Sequence, residues 1–357
     1  MVLTILIVVI SLSLLMALHE FGHFILAKKL GVKVEEFGIG MPPKIFGKKI
    51  GETIYSFNLI PFGAFVKIYG EENSKESFDP RSFTAKPIWQ RMSIVLGGVV
   101  SFWIISLILF TIVLGYGAAT AVGDEENPNF LNPKVQILSV ASDSPAEKSN
   151  LKTGDAILKL QFKEEILETD KVEQVRQFIK EHDGLPLLIT IQRGKEIFER
   201  TITPQNRVLG VYLARTAIIK YPWFSAPVEG ARTTLRMTKF AFLGYLEIFK
   251  SIFEGKGLPE GTELMGPVGA GALLTGAFET SFVYFLQILA TLSILFAIFN
   301  LLPIPALDGG RLVFLVVEKI KGKPINREIE KNINSLFLFL LMGLMIFVTA
   351  KDIMRLF

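Results

Sequence analysis

The 357-residue sequence contains no cysteine and only three histidines. The absence of cysteine excludes disulfide bonds and thiolate sites, so any metal ligands must be His, Asp or Glu side chains. Charged residues are also scarce, at 20%, whereas half of all residues are apolar and the mean hydropathy is +0.44. This composition is not typical of a soluble globular protein. We therefore expect an integral membrane protein, and the net charge of +4 gives no reason to expect nucleic-acid binding.

Four stretches contain no Asp, Glu, Lys or Arg, and each is long enough to form a helix across a bilayer core of about 30 Å. They are residues 1–18, 92–123, 280–307 and 332–350. The first continues apolar to residue 27 and lacks the basic start and cleavage pattern of a signal peptide, so we expect it to be retained. The predicted fold is polytopic and α-helical, with transmembrane helices at 1–27, 92–123, 280–307 and 332–357.

The distribution of basic residues predicts the orientation of these helices. Residues 28–91 contain eleven Lys or Arg against seven Asp or Glu, and residues 308–331 contain six Lys or Arg. Because cytoplasmic flanks carry the excess of basic residues, both segments are predicted to be cytoplasmic. Residues 124–279 and both termini are then predicted to be extracytoplasmic.

The outer segment is predicted to contain a small α+β domain at residues 130–210. Residues 135–140 and 156–160 have strand character, Ser144 and Pro145 begin a short helix, and residues 187–203 have the pattern of a hairpin. Residues 144–146 and 151–157 resemble the signature of bacterial PDZ domains, which implies a module that binds a peptide or protein ligand by adding a strand. The alternative is an unrelated α+β module.

The following segment, residues 211–279, is predicted to be amphipathic and to lie on the outer face. Within it, residues 224–253 interleave large apolar side chains with Arg and Lys. This pattern is typical of an interfacial helix in the outer leaflet of a lipid bilayer. A surface helix packed on the small domain is the alternative.

The first apolar stretch ends in the sequence His19-Glu20-Phe21-Gly22-His23. Histidines four residues apart lie on one face of a helix, so both can bind one metal ion while Glu20 reaches the metal-bound water. Ionisable residues within a membrane helix are costly and therefore indicate a functional site. The alternative is that these side chains only extend to the membrane interface.

Two histidines and a water leave a tetrahedral zinc site one protein ligand short. Lys29 occupies the position of the third histidine in metzincins, and Glu35, Glu36 and Glu52 lie in Gly- and Pro-rich, non-helical sequence. Asp308, at the end of the third apolar stretch, is the remaining candidate. Alone it would more often cap a helix, but its predicted position near the cytoplasmic face matches that of the two histidines.

The whole chain resembles the site-2 protease family of intramembrane zinc proteases, and most of all its bacterial RseP group. The resemblance rests on residues 19–23, on Asn300–Gly310 with its Leu-Asp-Gly, and on a PDZ-like domain between the second and third helices. Residues 61–67 are similar to the membrane-associated β-loop of the family, and residues 266–269 to its segment before the third helix. The outer segment has room for one PDZ domain, whereas RseP carries two.

The resemblance implies one Zn²⁺ ion bound by His19, His23 and Asp308, with Glu20 as the catalytic acid and base. It also implies that Asn300 holds substrate, although a helix–helix hydrogen bond is the alternative. Residues 54–59 and 64–69 have strand character and predict a hairpin through residues 60–63. Its free edge could pair with an extended substrate, so Gly63, Ala64, Phe65 and Val66 are candidate substrate-binding residues. Gly97 and Gly98 are interpreted as positions of close helix packing only.

The implied function is hydrolysis of a peptide bond within or near the transmembrane segment of single-span membrane proteins, in the bacterial cytoplasmic (inner) membrane. Pre-trimmed anti-sigma factors and remnant signal peptides are the substrates that the resemblance suggests. Two other classes of protein remain as alternatives. A metal transporter would need polar residues along its helices, which the second and fourth helices largely lack, and an inactive scaffold would not need Glu20 between two histidines.

Overall fold

The computed structural model describes residues 2–71, 79–141, 143–194, 196–259 and 264–356. Met1, Phe357 and parts of the predicted segments 28–91, 130–210 and 211–279 lie outside the described residues. The chain divides into two units, one formed by Met1–Ile112 together with Pro227–Phe357 and the other by Val113–Ala226.

Nine α-helices and nine strands are found among the described residues. In chain order they are α1 (Val2–Lys29), β1 (Val34–Ile50), β2 (Thr53–Ile68), α2 (Ile88–Tyr116), β3 (Ala118–Val122), β4 (Phe130–Val140), α3 (Pro145–Lys148), β5 (Ala156–Phe162), β6 (Glu165–Glu168), α4 (Val172–Glu181), β7 (Leu187–Arg193), β8 (Glu196–Ile202), β9 (Val211–Ile219), α5 (Ala226–Phe253), α6 (Pro267–Thr280), α7 (Phe282–Leu301), α8 (Asp308–Lys321) and α9 (Arg327–Leu356).

Four of these helices, α1, α2, α7 and α9, are long and apolar enough to cross a membrane. The expectation of four apolar membrane helices is thereby confirmed. A helix satisfies its backbone hydrogen bonds internally, which is what a segment surrounded by hydrocarbon requires. The chain is a membrane protein that also contains sheet.

The second apolar helix differs in its limits from the predicted segment 92–123. It begins at Ile88 and ends at Tyr116, where Gly117 adopts a φ of +102°. Residues 118–122 form strand β3 instead. The absence of charge alone could not separate the two elements, because an uncharged Ala-Ala-Thr-Ala-Val run is as compatible with a strand as with a helix.

The predicted strand character of residues 54–59 and 64–69 is found, but their predicted direct pairing as a hairpin is wrong. Both stretches belong to β2 (Thr53–Ile68), which follows β1 after a turn at Gly51 and Glu52 and pairs with it. The pairing is interrupted, so that residues 36–39 pair with 64–67 on one side and with 54–57 on the other, and residues 46–50 pair with 53–57. The chain does reverse between residues 57 and 64, where Gly63 has a φ of +83°, but residues 36–39 of β1 lie between the two arms. The sheet lies beside α1, where the Ser13 hydroxyl donates a hydrogen bond to the Pro61 carbonyl oxygen.

The helices of the first unit pack through several apolar clusters. One joins α1, α2, α6 and α7 around the fully buried Phe102 and Leu274. Helix α5 packs against α2 and α7 through Met237, Ala241 and Tyr245, which contact a buried cluster formed by Phe110, Ala290, Ile294 and Ile298. The predicted amphipathic helix is therefore present, and it contacts two apolar helices of this unit. The predicted segment 211–279 is divided among β9, α5 and α6.

The second unit is built on a seven-stranded sheet of order β3-β9-β4-β5-β7-β8, with β6 paired to β5. Its core is formed by the buried faces of these strands together with α3 and α4. The sheet extends past the predicted limits 130–210, because β9 pairs with both β4 and β3. Directly before β5, the buried Asp155 carboxylate accepts two hydrogen bonds from the partly exposed Arg193, at 2.7 and 2.8 Å.

Candidate metal centre

The two histidines of α1 lie one turn apart on the buried face of the helix. His19 and His23 are 7% and 5% exposed, and their Nε2 atoms are 3.4 Å apart. Glu20 follows His19 by one residue, which turns it to the neighbouring face, where it is half-buried. The helix therefore presents two imidazole nitrogens at one point with a carboxylate beside them.

The connection between α7 and α8 brings Asp308 to the same point. Its Oδ2 atom lies 3.4 Å from His19 Nε2 and 3.3 Å from His23 Nε2, and the residue is 7% exposed. Within the part of the chain that the structure describes, these three residues form a buried group able to hold a metal ion.

The geometry of this group fits zinc. A tetrahedral ion with bonds of about 2.0–2.1 Å holds its ligand atoms about 3.3–3.4 Å apart, which is the spacing of the three donor atoms. Asp308 Oδ2 is also buried without a hydrogen-bond partner among the described residues. An unpaired buried carboxylate oxygen is costly, and a cation in contact with it removes that cost. His19, His23 and Asp308 would supply three of the four ligands of a tetrahedral zinc ion, and a water molecule could be the fourth.

One face of α2 supports the histidines. Ile94, Gly98 and Phe102 are spaced by four residues and therefore lie in one row. The Nδ1–H group of His23 donates to the Ile94 carbonyl oxygen at 2.9 Å, which leaves Nε2 unprotonated and able to bind a metal ion. The His19 ring stacks on Phe102 with ring centroids 4.5 Å apart.

Gly98 was predicted to serve close helix packing only, but in the structure it lies against the rings of both His19 and His23. A Cβ atom at position 98 would come within 2.7 Å of His19 Cε1 and even closer to the His23 ring. Only glycine leaves room for both rings. Gly97 does serve close packing, because a Cβ there would lie 2.7 Å from the Gly22 carbonyl oxygen of α1.

Two ion pairs anchor α8, the helix that begins with Asp308. Near its end, Glu318 accepts hydrogen bonds from Arg91 of α2 at 2.5 and 3.1 Å. Near its start, Arg311 pairs with Glu71 at 2.8 Å, and Glu71 follows β2 closely in the chain. The Arg91 pair is almost enclosed, with side chains 8% and 17% exposed, so solvent screens it only weakly.

The predicted substrate-binding residues lie outside the metal-ligand group. Ala64, Phe65 and Val66 belong to β2, where they pair with Ile39, Gly38 and Phe37 in that order. The side-chain amide of Asn300 donates to the Phe296 carbonyl oxygen of its own helix at 3.0 Å, which is neither of the two contacts considered for it.

Comparisons with known proteins agree with this geometry. Residues 7–344 match the model of Peptidase family M50. A protein of Clostridium perfringens named "Putative zinc metalloprotease" is 35% identical over 347 residues, covering 96% of each chain. The "Regulator of sigma-W protease RasP" of Bacillus subtilis is 27% identical over 439 residues, covering 99% of each chain. "Zinc metalloprotease RasP" of Geobacillus kaustophilus is 27% identical over 438 residues, covering 98% of this chain and 97% of the relative.

The chain is therefore a membrane zinc metalloprotease. Its apolar helices, its group of His19, His23 and Asp308 and the comparisons all support this class. The chain belongs to Peptidase family M50, the site-2 protease family. Its cofactor is zinc. Membership of this family supports a protease, and not the metal transporter or the inactive scaffold considered above.

Proposed function

We propose that the protein is an intramembrane endopeptidase that hydrolyses a peptide bond within or near the transmembrane segment of single-span membrane proteins. The observation that carries this proposal is the position of the His19, His23 and Asp308 group. Two of its members belong to a helix of membrane-spanning length and apolarity. A hydrolytic centre so situated favours substrates that are themselves in the membrane.

In this proposal His19, His23 and Asp308 hold the zinc ion and Glu20 is the catalytic acid and base. Bound zinc supplies Lewis-acid chemistry that activates a water molecule and polarises the peptide carbonyl group. The Glu20 carboxylate accepts a proton from the attacking water and later delivers it to the nitrogen of the leaving amine. Ile94 holds the tautomer of His23, and Phe102 restricts the ring of His19.

The substrate helix has to unwind locally before hydrolysis, because its carbonyl groups are engaged in helical hydrogen bonds. Unwound backbone within a membrane needs new hydrogen-bond partners. We propose that residues 63–66 of β2 provide them. Residues 64–66 pair with β1 on one side, and no strand among the described residues pairs with their other side. An extended substrate could add to this edge, and Asn300 would assist by rotating away from Phe296.

A pair of single-span substrates tests this proposal. The two differ only in whether the transmembrane helix contains Gly and Ser or Ala and Leu near its cytoplasmic end. We expect the purified protein to cut the first faster, with the cleaved bond inside the apolar segment when the products are mapped by mass spectrometry. Equal cleavage of both, or cleavage only in soluble flanks, would contradict an intramembrane reaction.

We further propose that the unit Val113–Ala226 contains an extracytoplasmic PDZ domain that binds a peptide or protein and obstructs substrates with bulky outer domains. The supporting features are the resemblance of residues 144–146 and 151–157 to bacterial PDZ domains and the Ser144 hydroxyl, which caps α3 by accepting a hydrogen bond from Glu147 N at 3.2 Å. Only substrates trimmed by another protease would then enter. The name of the Bacillus subtilis relative links that protein to sigma-W, which favours anti-sigma factors as substrates here, with remnant signal peptides as the second candidate.

The ends of this unit are close enough for a clean excision. Tyr221 N donates to the Leu114 carbonyl oxygen at 2.9 Å, so a short Gly-Ser linker can replace residues 118–219. We expect the excised variant to cut a substrate with an attached outer globular domain, whereas the full chain cuts only the trimmed form. If the excised variant still requires trimming, the filter role is wrong.

A further inference from the structure

The connection between α7 and α8, residues 302–307, is folded tightly against the start of α8. Ile304 N donates to the Leu302 carbonyl oxygen at 2.7 Å and Leu307 N to the Ile304 carbonyl oxygen at 3.1 Å. A Cβ atom at Gly310 would lie 2.7 Å from Pro305 Cα. The position of Asp308 therefore depends on the conformation of this short connection.

Ala306, two residues before Asp308, has a backbone conformation that L-amino acids rarely adopt. Its φ is +75°. The other non-glycine residues with positive φ among the described residues all belong to the unit Val113–Ala226. Asn and Asp tolerate this region because their side chains bond locally to the backbone. Alanine has no such group, so an external contact has to stabilise this conformation.

Asn334 of α9 provides that contact. The backbone N–H of Ala306 donates to Asn334 Oδ1 at 3.1 Å, across 28 residues of sequence. Asn334 is half-buried, although only 6% of the apolar part of α9 is buried within the protein. Helix α9 is also tied to the rest of the unit at its other end, where Asp352 accepts from Gly266 N and Gly269 N at 2.9 and 2.7 Å.

We infer that Asn334 is a positioning residue of the metal centre. Through Ala306 it holds the connection in the conformation that directs Asp308 towards His19 and His23. Asn334 does not touch the metal-ligand atoms itself. The inference rests on the proposed role of Asp308 as a zinc ligand.

Zinc release from the full-length protein in detergent tests this inference. The purified, zinc-loaded chain is challenged with excess EDTA, and release is followed with a colorimetric chelator. Loss of a group that orients a metal ligand typically weakens metal binding about 10-fold or more. We expect Asn334→Leu, which lacks the acceptor, to release zinc about 10-fold faster. Asn334→Asp keeps an acceptor oxygen and should retain zinc as the native chain does. Asn332→Leu is the matched control, because Asn332 is exposed on the same helix.

A second substitution separates positioning from general damage. In the Asn334→Leu background, Ala306→Gly should recover part of the zinc retention, because glycine adopts positive φ without strain. If Asn334→Leu does not fold, Asn334→Ser, which is too short to reach Ala306, replaces it with the same expectations.

If Asn334→Leu, or Asn334→Ser in its place, releases zinc at the same rate as the native chain, the inference is wrong. Equally fast release by Asn334→Asp or by the exposed control would also overturn it. Asp308→Asn separates the assignment of the zinc ligands from the positioning role of Asn334. If that variant retains zinc, the proposed ligand set is wrong; if it loses zinc while Asn334→Leu does not, only the positioning role is wrong.

Discussion

At the scale of single residues, the metal centre depends as much on what surrounds the ligands as on the ligands themselves. His23 is oriented by the Ile94 carbonyl oxygen, and His19 by the ring of Phe102. Both imidazoles occupy space that exists because position 98 has no side chain. A zinc ligand that can rotate freely binds less well than one fixed by a hydrogen bond, so this row of α2 residues contributes to metal affinity.

Gly98→Ala should therefore reduce zinc binding and proteolysis severely. The added methyl group would overlap with both imidazole rings, and the backbone of α2 cannot retreat without losing its contact with Gly22. Zinc per chain, measured on the purified variant, checks this expectation. Gly276→Ala in α6 is the matched control, because nothing lies within 4 Å of a Cβ atom at position 276; a native zinc content in both variants would contradict the role of Gly98.

The grouping of His19, His23 and Asp308 could be predicted from the sequence, whereas the residues packed around this group could not. Histidines four apart around a glutamate form a local pattern, and Asp308 was found because few acidic residues remained as candidates. Ile94 acts through a backbone carbonyl group, which any residue possesses, and Gly98 acts through the absence of a side chain. Asn334 acts through a backbone N–H that is 28 residues away. None of these roles has a sequence pattern of its own.

At the scale of secondary-structure elements, strand pairing was the least predictable feature. The β-rich residues 54–59 and 64–69 have the composition of two strands, and Pro61 and Gly63 between them are typical turn residues. In the structure both stretches belong to β2, and each pairs with residues 36–39 of β1. The partner strand was not predicted because its Gly and Pro residues lower its apparent strand propensity.

The Asp155–Arg193 pair between β5 and β7 makes the stability of the small unit dependent on pH. Burial by itself raises the pKa of Asp155, but hydrogen bonds from Arg193 and from Lys152 N outweigh it and hold the pKa below its ordinary value. A carboxyl whose pKa is depressed on folding stabilises the folded state above its unfolded pKa of about 3.9. That contribution is lost as the pH falls through the lower, folded pKa.

Asp155→Asn should destabilise this unit by about 2 kcal/mol near neutral pH, the magnitude for hydrogen bonds to a buried charged group. The variant should also lose the part of the acid sensitivity that Asp155 causes. Hydrogen exchange of the β5 and β7 amides in the full-length protein, compared between neutral and acidic pH, measures both effects. Glu168→Gln removes an exposed carboxylate of β6 and should change neither; native exchange in Asp155→Asn would contradict the role of the pair.

At the scale of the whole molecule, the four apolar helices were the most predictable feature. About 20 consecutive apolar residues have few alternatives to a membrane helix, and the described part of the chain contains four helices of this kind. The limits of the helices were less predictable, because a charge-free strand such as β3 cannot be distinguished from the end of a helix by composition. The orientation in the membrane is a proposal from the distribution of Lys and Arg.

The absence of native cysteine makes that orientation easy to test. A single cysteine at exposed Lys148 is expected to react with a membrane-impermeant maleimide in intact spheroplasts, because residues 124–279 are predicted to be outside. A single cysteine at exposed Lys323 should react only after the membrane is opened. Labelling of both in intact spheroplasts, or of Lys323→Cys alone, would contradict the proposed orientation.

The central claim is that His19, His23 and Asp308 bind a zinc ion beside which Glu20 acts as acid and base. Glu20→Gln tests it most directly, because this substitution removes the proton-accepting carboxylate and leaves the three ligands intact. The measurement counts zinc per chain and follows cleavage of a single-span substrate for the native protein and the variant in parallel. We predict one zinc ion in each and cleavage by the native protein alone; cleavage by Glu20→Gln at the native rate, or absence of zinc from both, would contradict the account.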